Sequence, residues 1–317
     1  MSAFGALITI VLPVFLVVGA GYGMVRLKAF PDQALDGLVK FATGFAVPVL
    51  LFRAMFNLDL TVAIRWEHYL SFYGAAFFCF CTGVTLARVI WQRRPGEAVA
   101  VGFLALFSNS VLLGLPIADR AFGAEVLAKV FALFMIHTPF CYFVGILAME
   151  FSRRDGAPLG QALRRTFEAM FRNALTIGLV TGLLANVSGV RLPGVALEAI
   201  DMIAEAALPI ALFGIGGVMT RYSLKADPSE ALMVSALSIL VHPALVWIAT
   251  TQIFALPQAF VLSAVVIAAM PTGINGYLFA AMYNRAERVA ASSVLIATLL
   301  SLITIPIWLA ILGGGAL

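Results

Sequence analysis

The chain has 317 residues, 62% hydrophobic and only 11% charged, with a net charge of +4. Soluble globular chains carry about 25% charged residues, so this composition leaves too little charged surface to keep a water-soluble fold in solution. A mean hydropathy of +1.03 points instead to a chain embedded in the lipid bilayer.

Helical spanning takes about 20 consecutive apolar residues. Reading along the chain, such runs occupy 5–25, 37–57, 68–91, 97–118, 126–150, 169–188, 196–219, 230–254, 258–283 and 289–313, which makes ten expected spans. The runs are too long and too continuous for a transmembrane β-barrel, so the fold class is all-α and polytopic. The opening "MSAFGALITI" lacks the positive region of a cleaved signal. In span 1, Gly19 and Gly23 read as a small-xxx-small packing face. Cys79, Cys81 and Cys141 fall inside spans and read as small packing residues, with no metal site and no cofactor implied.

Basic residues set the orientation. The links after spans 1, 3, 5, 7 and 9, with their helix ends, hold 15 of the 20 Lys and Arg residues, and the other side holds 5. The basic side is therefore expected in the cytoplasm, with both termini outside (periplasmic) in an inner membrane. The positive net charge is this topological bias and calls for no nucleic-acid partner. Arg53, near the outer end of span 2, is expected to snorkel.

Features then recur. "FAVPVLLF" (45–52) in span 2 is echoed by "AALPIALF" (206–213) in span 7, and Pro48 and Pro209 lie 161 residues apart. "FSNSVLLGLPIADRAFGAEV" (107–126) in span 4 stands 163 residues before "MPTGINGYLFAAMYNRAERV" (270–289) in span 9. The organisation expected is a first five-helix repeat over 1–151, a cytoplasmic linker over 152–166 and a second repeat over 167–317. Five spans is an odd number, so the second repeat is inverted, the plan of secondary transporters.

Spans 4 and 9 carry helix breakers and polar groups in their middles, at Asn109–Pro116 and Pro271–Gly276. Broken backbone within a membrane is tolerated only where it lines a cavity or is buried in protein. Matched breaks in two repeats are the best sequence pointer to a substrate site. Half-helix N-termini there suit an anion, whereas unwound carbonyls suit a cation. The substrate-binding candidates are Ser108, Asn109, Ser110 and Pro116 of span 4 and Pro271, Thr272, Gly273 and Asn275 of span 9.

These motifs resemble the auxin efflux carrier family, whose bacterial members include malonate- and malate-permease-like proteins. The match in span 4 is Asn109, Gly114 and Pro116, followed by Gly123. In span 9 it is Pro271, Gly273, Ile274, Phe279, Ala280 and Tyr283. The resemblance implies that spans 4 and 9 cross as an X in a transport domain. It implies a scaffold of spans 1, 2, 6 and 7 that also forms a homodimer. It further implies that Asn109 helps hold a substrate carboxylate. Ser108 and Ser110 stand where plant members have Pro and Thr, and plant members lack the amide of Asn275. A smaller carboxylate than an indole acid is the expected substrate.

The remaining polar residues carry competing readings. Asn109 and Asn275 can each donate two N–H groups to a carboxylate or simply cap a half-helix. Glu205, inside span 7, reads as a proton-coupling acid or, if that span begins later, as an outer-surface residue beside Asp201. His242 of span 8 and His137 of span 5 could titrate near neutral pH or pack as hydrogen-bonded core residues. Glu205 and His242 are the ion-coupling candidates, and the coupling ion, H+ or Na+, is left open. No protease, hydrolase or P-loop motif is present, so an enzyme is not expected. The expected function is a secondary active transporter, by symport or uniport, for a small organic anion. The alternative is a membrane-embedded sensor of a small carboxylate on the same fold.

Overall fold

The computed structural model describes residues 3–152, 164, 168, 173–222 and 228–313, and those residues form helices joined by short links, with no strand among them. The linker expected at 152–166 lies outside the described residues apart from Ser152 and Arg164.

The helices follow the apolar runs. They are α1 (Ala3–Arg26), α2 (Asp32–Phe41), α3 (Val47–Phe56), α4 (Leu60–Ala63), α5 (Trp66–Val89), α6 (Pro95–Leu106), α7 (Leu115–Phe122) and α8 (Ala124–Ser152). After the linker come α9 (Ala174–Val187), α10 (Gly194–Met219), α11 (Pro228–Ala236), α12 (His242–Ile248), α13 (Gln258–Ala268), α14 (Ile274–Tyr283) and α15 (Glu287–Ile311). Seven continuous segments are long and apolar enough to cross a membrane, and α6, α9 and α13 are shorter apolar helices. Spans 4 and 9 are each interrupted by non-helical backbone, at 107–109 and 269–273, where the sequence carries its helix breakers.

Proline placement explains several local departures from α-geometry. Widened π-helical turns at Ala42–Ala46, Ser110–Gly114 and Leu237–Val241 each end two residues before a proline, namely Pro48, Pro116 and Pro243. A proline ring clashes with the carbonyl four residues back and supplies no N–H, and a wider turn relieves both problems. Pro13, Pro139, Pro209 and Pro306 remain inside long helices.

Two interhelical contacts rest on glycine. α1 packs along α10, and α3 along α9. At Gly21 of α1 a Cβ would strike the backbone carbonyl of Phe213 in α10, and at Gly182 of α9 it would strike the carbonyl of Phe52 in α3. Gly21 and Gly182 are 161 residues apart, and so are Phe52 and Phe213. The packing face read at Gly19 and Gly23 is corrected by this geometry. Within the chain neither has an atom within 4 Å of an added Cβ, and Gly21 between them makes the close approach. A strict i, i+4 spacing puts the face on the wrong side of the helix here.

α2 also packs on α10, while among the other helices α5 lies on α6, α6 and α13 on α8, and α11 and α14 on α15, a second packed group. Phe103 of α6 and Phe279 of α14 stack with ring centroids 3.9 Å apart. Large apolar side chains such as Leu16 and Ile303 point outward, as expected where the surrounding solvent is lipid. Arg53 does not reach outward alone, since it pairs with Asp201 of α10.

Candidate functional site

The two interruptions meet. Between α6 and the π-turn, Phe107–Asn109 leave helical geometry; between α13 and α14, Ala269–Gly273 do the same. The two extended segments meet in a single antiparallel bridge at Ser108 and Thr272. Asn109 N–H donates to the Pro271 carbonyl (2.7 Å), and Gly273 N–H donates to the Phe107 carbonyl (2.9 Å). The groups freed by each break thus satisfy those of the other, which is what an apolar interior demands. Gly273 is suited to this position, because an added Cβ would lie 3.2 Å from the Ser108 carbonyl oxygen.

The breaks are shorter than the sequence indicated. Pro116 lies in the first turn of α7, where its missing N–H costs little. Asn275 and Gly276 lie within the first turn of α14.

Beside the paired breaks is a cavity of about 360 Å³, within the size range of small-molecule sites. Of the sequence candidates, Ser108, Asn109, Ser110, Gly273 and Asn275 line it. Pro116, Pro271 and Thr272 do not. Pro271 serves through its carbonyl, and the Thr272 hydroxyl donates to the Leu104 carbonyl (3.0 Å). Thr43, His137, Thr138 and Asn173 also line the cavity. His137 was only a minor possibility in the sequence, and Thr43, Thr138 and Asn173 carried no distinguishing signal beyond the helix-capping pattern of Asn173.

Among the described residues the cavity wall holds no Asp, Glu, Lys or Arg. Its polarity comes from side-chain amides, hydroxyls, one imidazole and the N-terminal ends of two helical segments. Asn173 caps α9 by accepting from the Leu175 N–H, but neither Asn109 nor Asn275 caps its helix. At Asn109 the backbone carbonyl accepts from Leu113 and Gly114, and the side chain makes no capping bond. The N-cap of α14 is Gly273, so Asn275 does not serve there. Behind Asn109, Ser108 Oγ and Ser110 Oγ are 2.7 Å apart, and Ser110 Oγ is 3.3 Å from His137 Nε2.

The two ion-coupling candidates lie elsewhere. Glu205 is exposed on α10. His242 is buried at the start of α12, its Nε2 3.3 Å from the Phe72 carbonyl and its ring edge-on to Phe72.

The family described as "Membrane transport protein" matches over residues 6–161 and again over 161–309. The chain belongs to this family. The resemblance to auxin efflux carriers carried by spans 4 and 9 holds along its length, and this membrane transport protein is a multi-pass membrane protein. It is 26% identical over 313 residues to the "Putative malonate transporter" of Rhizobium meliloti (strain 1021), covering 97% of this chain and 96% of the relative. It is 24% identical over 309 residues to an "Uncharacterized transporter" of Methanothermobacter thermautotrophicus, covering 95% and 97% of the two chains. It is 20% identical over 350 residues to "Auxin efflux carrier component 8" of Arabidopsis thaliana, covering 92% and 93%.

Proposed function

We propose that the protein is a secondary active transporter that moves a small organic carboxylate, of the malonate or malate class, by alternating access across the inner membrane. Coupling is to H+ or Na+. The observation that carries this reading is the convergence of two side-chain amides, Asn109 and Asn275, and two helix N-termini on one cavity whose described wall is uncharged. Amide donors and helix N-termini stabilise a carboxylate. With no fixed cation among the described wall residues, the anion can also leave, as a transport cycle requires. The malonate transport named for one relative agrees with this chemistry.

The architecture we propose has two inverted five-helix repeats, 1–151 and 167–317, joined by a cytoplasmic linker at 152–166, with the half-helices of spans 4 and 9 crossing at the site. Support comes from the paired breaks and from the glycine-on-carbonyl contact that recurs at one offset. α1, α3, α9 and α10 serve as the scaffold, in a homodimer, and the second packed group carries the cavity. Both termini lie outside.

Uptake of labelled malonate and malate into proteoliposomes, with pH and sodium gradients varied separately, tests the proposal. Gradient-driven accumulation is expected. Binding without translocation would favour a sensor instead, and neither binding nor uptake of any small carboxylate would overturn the reading.

A further inference from the structure

Among the described residues, His137 is the one ionisable group on the wall of this cavity, and no charged side chain lines it. It is buried, with its ring held edge-on by Phe107 (4.9 Å between centroids) and Phe72 (5.8 Å). Its Nε2 faces Ser110 Oγ at 3.3 Å, while its Nδ1 has no hydrogen-bond partner among the described residues. Whichever tautomer is present, a buried ring position is left unsatisfied, and such a position calls for a reason. Ser110 Oγ in turn lies 2.7 Å from Ser108 Oγ, and both serines line the same cavity as Asn109.

We infer that His137 is the proton-binding residue of the transport cycle, taking up one proton as the anion enters the cavity and releasing it as the anion leaves. This rests on the carboxylate-transport reading above. The hydroxyl pair supplies the link. When Nε2 is a lone pair it accepts from Ser110, Ser110 accepts from Ser108, and the Ser108 oxygen offers the cavity an acceptor. When both ring nitrogens are protonated, Nε2–H donates to Ser110, Ser110 donates to Ser108, and the Ser108 hydroxyl hydrogen is free to donate. From the Nδ1–H tautomer, in which Nε2 is the lone pair, protonation thus turns the chain from an anion repeller into an anion donor. The added positive charge has no counter-ion among the described wall residues, so an imidazolium at this place is costly until the substrate carboxylate supplies one. Proton and anion therefore bind cooperatively, and the coupling is reciprocal.

Other titratable groups near His137 do not compete for this role. Tyr73 of α5, 6.0 Å away between rings, donates its hydroxyl to the Leu133 carbonyl. Cys141, one turn along α8, faces the Leu106 carbonyl. His242 of α12 stands against Phe72, on a ring that also contacts His137. Lys129, two turns earlier on α8, lies over the Phe260 ring. Arg53 of α3, Glu97 of α6, and Asp119 and Arg120 of α7 are not on the cavity wall, and α9 and α13 carry no ionisable side chain.

Calorimetry of malonate binding to the purified full-length protein, in two buffers of different ionisation enthalpy at about pH 7.5, counts the protons taken up, since malonate is then fully ionised. The expected result is uptake of about one proton per malonate in the wild type and about none in His137→Gln, which keeps a hydrogen bond to Ser110 but cannot become charged. His137→Gln should also bind malonate more weakly, by about tenfold or more. Histidine-labelled wild-type protein gives a readout free of any variant. The chain has 3 histidines, and one nitrogen-15 signal set should convert to the imidazolium form on malonate addition. Malonate binding with no proton uptake, or uptake that persists in His137→Gln, would overturn the role of His137 while leaving the transport reading intact. No binding of malonate, malate or succinate by the wild type would overturn both.

Discussion

Asn109 and Pro271, 162 positions apart in the sequence, are joined by a single backbone hydrogen bond of 2.7 Å. The donor belongs to one broken helix and the acceptor to the other. The Asn109 side chain takes no part in this bond, nor in capping the turn that follows. The break is thus held by main-chain groups, and the amide remains for a ligand.

Replacing Asn109 by Ala therefore separates binding from folding. A hydrogen bond to a charged acceptor contributes about 1.5–3 kcal/mol, so malonate affinity should fall by roughly one to two orders of magnitude. Titration of the purified, monodisperse variant measures this. Unchanged affinity would remove Asn109 from the site.

The glycine contacts predict a matched pair of effects. Gly21→Val and Gly182→Val each force a side chain onto a backbone carbonyl. Overpacking of this kind typically costs about 1–3 kcal/mol, and both should lower the unfolding temperature in detergent by similar amounts. Gly19→Ala meets nothing within 4 Å and should unfold like the parent. A large loss at Gly19 and none at Gly21 would contradict the helix packing.

Glu230, fully buried at the start of α11, is held by Arg93, with Nε and one terminal nitrogen at 3.0 and 2.7 Å from Oε2. Removing one partner of a buried pair commonly costs about 3–5 kcal/mol, because the other charge is stranded. Arg93→Ala should be strongly destabilised, and adding Glu230→Gln to it should recover part of the loss. Denaturation midpoints of the single and double variants decide it; a double variant no more stable than Arg93→Ala would show that the carboxylate was not stranded.

Orientation is open to labelling. Gln92 and Ser188 are both exposed in links between helices. With the basic face in the cytoplasm, Ser188→Cys should react with an impermeant thiol reagent in intact cells, and Gln92→Cys should react only after lysis. The reverse pattern would invert the topology.

Much of this protein follows from local sequence. Apolar runs define the helices because lipid forbids unpaired backbone over such lengths. The breakers at 109–116 and 271–276 mark two discontinuities, since Pro and Gly act on their own turns whatever surrounds them. Local signals could not settle how wide each break would be. Pro116 and Gly276 lie in regular helix, because a π-turn absorbs the proline and an α-helix accommodates the glycine. Nor could they separate Thr272, whose hydroxyl is consumed by the Leu104 carbonyl, from Asn109, whose amide faces the cavity. Residues such as Thr43, His137 and Asn173 are ordinary in their own helices. They become cavity wall only because three separate helical segments converge on the paired breaks. Long-range packing decides which polar groups find partners within the protein and which are left for a ligand, and a one-dimensional pattern does not contain that pairing.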